Sequence, residues 1–112
     1  GWAPHQILAW RALRQHGFRG EADRLTWRWL ATVVENARDY HGTVPEKLDV
    51  VARSHRVYAE YGNVATDFAY ITPEGFGWMN ASFEVGLAEL APDLRERLRA
   101  AAGREGDIPI AP

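Results

Sequence analysis

Apolar residues recur at helical spacing in four stretches of the chain, and one long stretch between them lacks such a period. Over Pro4 to His16, Ile7, Leu8, Ala12 and Leu13 share helical spacing and predict a first helix. Pro4 suits the first turn, where its missing N–H costs nothing, and Gly17 suits the stop. A second helix is predicted from about Glu21 to Tyr40, with Ala22, Leu25, Trp29, Leu30, Val33, Val34 and Ala37 as its apolar stripe. Glu21 and Asp23 sit near the positive end of its dipole, and Gly42 ends it. A third helix is predicted from Trp78 to Leu90; its Phe83, Val85, Leu87 and Leu90, with few charges, imply burial on more than one side. A short amphipathic helix is predicted over Asp93 to Ala102, with Leu94 and Leu98 on one face and Pro92 in its first turn. Arg104 to Pro112 reads as a loose end.

This pattern gives an all-α fold class. The first two helices form a tight hairpin. The four helices do not evidently close a core around the long aperiodic stretch, so the chain reads as part of a larger all-α array. That stretch, Val44 to Trp78, reads as a connection, and structureless connections of this length are rare in compact domains unless they carry function. It mixes the acids Glu46, Asp49, Glu60, Asp67 and Glu74 with the aromatics Tyr58, Tyr61, Phe68, Tyr70, Phe76 and Trp78. Carboxylates take hydrogen bonds and protons from hydroxyls, and aromatic rings stack on the apolar face of a pyranose. The combination suits a sugar site.

Composition narrows the function classes. At 112 residues the chain is one domain's worth. A net charge of −2 with no Lys/Arg cluster argues against nucleic acid as a partner. No run approaches 18 apolar residues, so no membrane-spanning helix is expected. The absence of cysteine removes disulfides, cysteine-ligated zinc and a thiol nucleophile, and it fits a reducing compartment. Gly1 is not a natural start, so a preceding segment is expected. His5, His16, His41 and His55 show no metal-ligand spacing, and no cofactor motif is present. Ser54 and His55 are adjacent but suggest no serine triad. Glu46 and Glu60 are the carboxylates whose surroundings suit paired acid–base work on a glycosidic bond. Spacing alone leaves solvated loop acids as the plainer reading.

Four blocks in order change that balance: Gly1-Trp2-Ala3-Pro4-His5-Gln6-Ile7-Leu8-Ala9-Trp10, Glu46-Lys47-Leu48-Asp49-Val50, Ala59-Glu60-Tyr61-Gly62-Asn63, and Glu74-Gly75-Phe76-Gly77-Trp78 followed by Asn80-Ala81-Ser82. Together they resemble the C-terminal part of trehalases, glycoside hydrolase family 37, and are most similar to the neutral trehalases. The resemblance spans Gly1 to Leu90 and implies the C-terminal portion of an (α/α)6 barrel, with residues 91–112 forming a C-terminal helix and tail. It further implies hydrolysis of α,α-trehalose to two glucose molecules with inversion, no cofactor, and a cytoplasmic setting. It makes Glu46 the base that activates water and Glu60 a sugar ligand. It sets Phe76 and Trp78 at the glucose-binding end and Trp2 on the cleft wall. Two positions depart from the family's Val-Glu-Lys-Tyr-Asp-Val: Pro45 replaces its first Val, and Leu48 replaces Tyr. Proline fixes φ and biases Val44 toward extended geometry. A related (α/α)6 glucosidase acting on another disaccharide, and a non-catalytic helical interaction module with a self-contained core, are the alternatives.

The resemblance assigns the general acid to an Asp upstream of these blocks, so the remainder of a trehalase catalytic domain is an implied partner. Acid and base act as a unit, and losing one removes nearly all activity. The purified 112-residue chain is therefore expected to release no glucose from trehalose; detectable release in a coupled glucose assay overturns this.

Overall fold

A computed structural model describes residues 1–57 and 77–109. The order of elements is α1 (Ala3–Gln15), α2 (Arg19–Asp39), α3 (Gly77–Glu89) and α4 (Pro92–Ala102), with two isolated antiparallel bridges and no named strand among the described residues. α1 packs on α2 and α3, and α2 also packs on α3 and α4. The helices fall where hydrophobic spacing puts them, within two residues at the starts. Gly17, with φ of +86°, turns the chain between α1 and α2. A left-handed residue here costs glycine little. The turn closes with Phe18 N–H donating to Leu13 O at 2.9 Å.

The buried faces differ from the expected stripes in informative ways. On α1 the anchors are Ala3 and Trp10, both fully buried, while Leu8 is 66% exposed. Residues 3, 7, 10 and 14 form one stripe of a 3.6-residue helix, and Leu8 lies about 100° from Ile7. α2 is buried over far more of its circumference than its apolar positions suggest, with Thr26, Trp27, Thr32 and Asn36 buried alongside the expected residues. Its polar members satisfy themselves on the helix backbone. Thr26 Oγ1 donates to Ala22 O, Thr32 Oγ1 to Arg28 O, and Asn36 Nδ2 to Thr32 O, each at 2.8 Å. Such bonds let a hydroxyl or amide enter a core without an orphaned donor.

On α3 the fully buried face is Met79, Ser82 and Gly86, while Phe83, Val85 and Leu87 are half-buried, so this helix has one deep side and not several. Small residues permit the close approach. A Cβ added at Gly86 would lie 2.9 Å from Leu30 Cδ2. At that range Ser82 Oγ accepts from Trp29 Nε1 at 3.0 Å and donates to Met79 O at 2.7 Å. Asn80-Ala81-Ser82 matches a glycosylation sequon, but its Ser82 is fully buried within α3.

The C-terminal segment is not loose over its described part. Ile108 is 1% exposed, and Trp27 Nε1 donates to Pro109 O at 2.7 Å. Arg38 donates to the Arg104 carbonyl and, at 2.7 Å, to Gly106 O. Backbone carbonyls are what a guanidinium fork can hold, and every residue carries one, so this anchoring leaves no mark in the sequence; the buried Ile108 is the apolar residue that could have signalled it.

Glu89 on α3 closes the contact with α1. Its Oε2 accepts from Trp10 Nε1 at 2.9 Å, and its Oε1 accepts from Arg11 Nε at 2.9 Å and Arg11 Nη2 at 2.7 Å. Burial alone would raise the carboxyl's affinity for a proton, but the donors Arg11 and Trp10 and the Arg14 charge outweigh it, so its pKa is lowered.

Two outcomes follow from these contacts. Overpacking costs about 1–3 kcal/mol, and alanine's helix propensity offsets about 1 kcal/mol. Gly86→Ala is thus expected to lower stability by up to about 2 kcal/mol, read as a lower urea midpoint; a raised midpoint refutes the close α2–α3 contact. A carboxyl whose folded pKa is depressed stabilises fully above its unfolded value and loses that contribution as pH falls through the folded one. Glu89→Gln is expected to lower the melting temperature at pH 7, with the gap to the parent protein closing below the ordinary glutamate value of 4.5. A gap that persists at pH 3 contradicts this.

Candidate active site

Glu46 lies where the chain leaves α2 and turns back across the start of α1. Pro45, Glu46 and Leu48 are all buried, Glu46 to 4% exposure and Leu48 to 1%. Leu48 is an apolar plug that draws its neighbours into the core. The segment is not structureless, as its aperiodic sequence suggested. Lys47 forms an antiparallel bridge with Trp2, and Leu48 N–H donates to Gly1 O at 3.1 Å. Asp49 and Ser54 then form a second bridge, exchanging N–H···O bonds of 2.8 and 3.1 Å. Asp49 Oδ1 closes the turn by accepting from Val51 N–H at 2.8 Å and Ala52 N–H at 2.9 Å. The Ala52 and Val51 amides hold the Asp49 carboxyl below its usual range. A side chain accepting from its own next turn is the usual device for a tight reversal.

These bonds bring three of the four sequence blocks to one place. Glu46 is adjacent to the Trp2–Lys47 bridge, and its Oε2 lies 3.9 Å from Lys47 Nζ. The Trp2 ring meets the Trp78 ring edge-on, with centroids 5.7 Å apart and planes at 80°. It also meets His5 edge-on at 4.9 Å. Trp78 is 37% exposed at the start of α3. The Trp2 indole Nε1 is buried and has no hydrogen-bond partner among the described residues. Of the predicted site residues, Trp2, Glu46 and Trp78 are therefore assembled here, while Glu60 and Phe76 lie outside the described residues. No group of three or more His, Cys, Asp or Glu able to hold a metal ion occurs among the described residues. Ser54 and His55 form no nucleophile pair: Ser54 Oγ accepts from Arg56 N–H at 3.0 Å, and His55 Nδ1 faces Asn36 Oδ1 at 3.2 Å.

Spacing did not reveal the ring of polar side chains behind the site. Asn36 Nδ2 donates to Arg53 O at 3.0 Å, and Arg53 Nη2 contacts Glu35 Oε2 at 2.5 Å. His55 stacks on Tyr40 at 4.5 Å. Residues so far apart along the chain carry no local signal of contact. An apolar cavity of about 610 Å³, lined by Val33, Val34, Ala37, Met79 and Phe83 among others, has none of Trp2, Glu46 and Trp78 in its lining and is a separate feature.

Four packed helices, with the Glu46 segment bridged to the start of α1 and Trp2 against Trp78, are consistent with part of an (α/α)6 barrel. A family model described as trehalase matches residues 1–91, and the chain belongs to that family. It is 48% identical over 102 residues to a cytosolic neutral trehalase of Saccharomyces cerevisiae and 47% identical over 100 residues to one of Neurospora crassa. These alignments cover 89% and 88% of this chain but 14% and 13% of the relatives, so the chain spans about one seventh of their length. The solved structure of neutral trehalase Nth1 from Saccharomyces cerevisiae superposes with a TM-score of 0.64 at 40% identity, over 89% of this chain and 14% of that one. Among the described residues no helix is long and apolar enough to cross a membrane.

Proposed function

We propose that residues 1–90 are the C-terminal part of the catalytic (α/α)6 barrel of an inverting, cytosolic α,α-trehalase, and that residues 91–112 are its terminal helix and tail. The remainder of that domain is the partner, and trehalose is the substrate. The observation that carries this reading is the placement of Glu46, buried beside the Trp2–Lys47 bridge whose tryptophan meets Trp78.

In this reading Glu46 takes a proton from water as the water attacks the anomeric carbon. An aspartic acid outside the chain protonates the leaving oxygen. An inverting pair must leave room for that water, so the two carboxyls stand roughly 6.5–9.5 Å apart. Trp2 and Trp78 offer ring faces and edges to glucose, and the Trp2 indole N–H is a buried donor suited to a sugar hydroxyl. Glu60 accepts sugar hydroxyls, and Phe76 adds an apolar wall. The apolar cavity between α2 and α3 supports packing against further helices of the barrel.

Glu46→Gln in the full-length enzyme keeps the side chain's shape and removes the base. Glucose release from trehalose is expected to fall about a thousandfold or more with substrate binding retained. A loss below about tenfold means another group activates water, and the assignment of Glu46 fails.

A further inference from the structure

Resting on the reading of Glu46 as the base, we infer that Arg53 is a positioning residue for it, held in place by Glu35 and by the strap of residues 104–109. The loop bearing Glu46 is fixed at two points. Upstream, Lys47 and Leu48 are docked on Gly1 and Trp2 through the backbone. Downstream, the Asp49–Ser54 turn is closed by its own bridge and by Asp49 Oδ1, and these bonds alone do not tie it to a helix. Arg53 sits inside that turn in a left-handed backbone conformation, φ of +52°. Left-handed backbone is uncommon for arginine, and its cost must be offset by the contacts the residue makes.

Those surroundings are specific. Asn36 Nδ2 donates to the Arg53 carbonyl at 3.0 Å. The Arg53 guanidinium reaches Glu35 Oε2 at 2.5 Å and donates to Ile108 O at 3.2 Å. The other oxygen of Glu35 accepts from Ile108 N–H at 2.5 Å. Helix α2, the turn and the strap therefore close a three-cornered contact on one ion pair, whose side chains are only 14% and 20% exposed. Removing either charge leaves the other largely withdrawn from water. The strap is anchored independently by Trp27 on Pro109, Arg38 on Gly106 and the buried Ile108 side chain. It lies beyond residues 1–91, the stretch that the family model matches.

A carboxylate that must meet a water in line with a sugar carbon tolerates little displacement; a misplacement of about 1 Å costs on the order of a hundredfold in rate. Loosening Arg53 should therefore act on the chemical step and spare ground-state binding.

The test is steady-state hydrolysis of trehalose by the full-length enzyme carrying Arg53→Ala, Arg53→Lys or Glu35→Gln, with Glu46→Gln as reference. The expected result for Arg53→Ala is a fall in kcat of about tenfold or more with KM changed less than about threefold. Lysine at 53 should restore part of kcat. Glu35→Gln should lower kcat in the same direction, and the Arg53→Ala/Glu35→Gln pair should be no worse than Arg53→Ala alone, since the two residues act as one unit. If Arg53→Ala does not fold, Glu35→Gln decides. Unchanged kcat in the folded variant, or a loss explained by KM alone, overturns the inference while an inactive Glu46→Gln leaves the reading of the base intact. An active Glu46→Gln enzyme overturns both.

Discussion

The burial of the middle of α2, where Thr26, Trp27 and Trp29 to Val33 are all buried, is the constraint on which everything else depends. A helix surrounded on most sides must present small or self-satisfied groups wherever a neighbour comes close. Thr26, Thr32 and Asn36 meet that demand by bonding back to the helix, and Gly86 meets it from the other side by leaving room for Leu30. The close approach then permits the Trp29–Ser82 bond, which fixes α3 in rotation. With α3 fixed, Trp78 at its start is carried to Trp2 at the start of α1. The site's aromatic pair is thus a consequence of helix packing at some remove, and not of any local feature of the loop.

The same helix organises the polar side. Its last two turns carry Glu35, Asn36 and Arg38, which hold the Glu46 loop through Arg53 and the strap through backbone carbonyls. One end of α2 is a hydrophobic pillar, and the other is a bracket for two irregular segments. Irregular backbone next to a core needs such partners, because each unsatisfied N–H or C=O withdrawn from water is costly.

Helix positions were legible because hydrophobic spacing with Pro4, Gly17 and Pro92 as punctuation is a local signal. The choice of buried face on α1 was not, because Leu8 and Trp10 are both large and mainly apolar and only tertiary contact decides between them. The small-residue face of α3 was illegible for a related reason: Ser82 and Gly86 register as weak hydrophobes, yet closeness of approach is what buries them. The docked strap was missed because its attachments are carbonyls, which every residue has. At the candidate site, the family blocks pointed to Trp2, Glu46 and Trp78; the Trp2 ring meets Trp78, and Glu46 precedes the residue bridged to Trp2. No spacing rule linked Arg53 to Glu35 or to Ile108, because that contact exists only once the turn and the strap have folded onto α2.

The two departures from the family pattern beside Glu46 can be judged on the same physical terms. Pro45 is buried and has no N–H, so burying it leaves no donor to satisfy. The hydrogen bonding that holds the loop on the first residues of the chain comes from Leu48, beyond the proline. Leucine in place of tyrosine is 1% exposed, and it carries no hydroxyl that such burial would orphan. Both replacements remove a polar obligation from a dry position while leaving the backbone contacts on either side of Glu46 in place. A loop held by its backbone can change these side chains and still present the same carboxylate, so neither departure argues against the role assigned to Glu46.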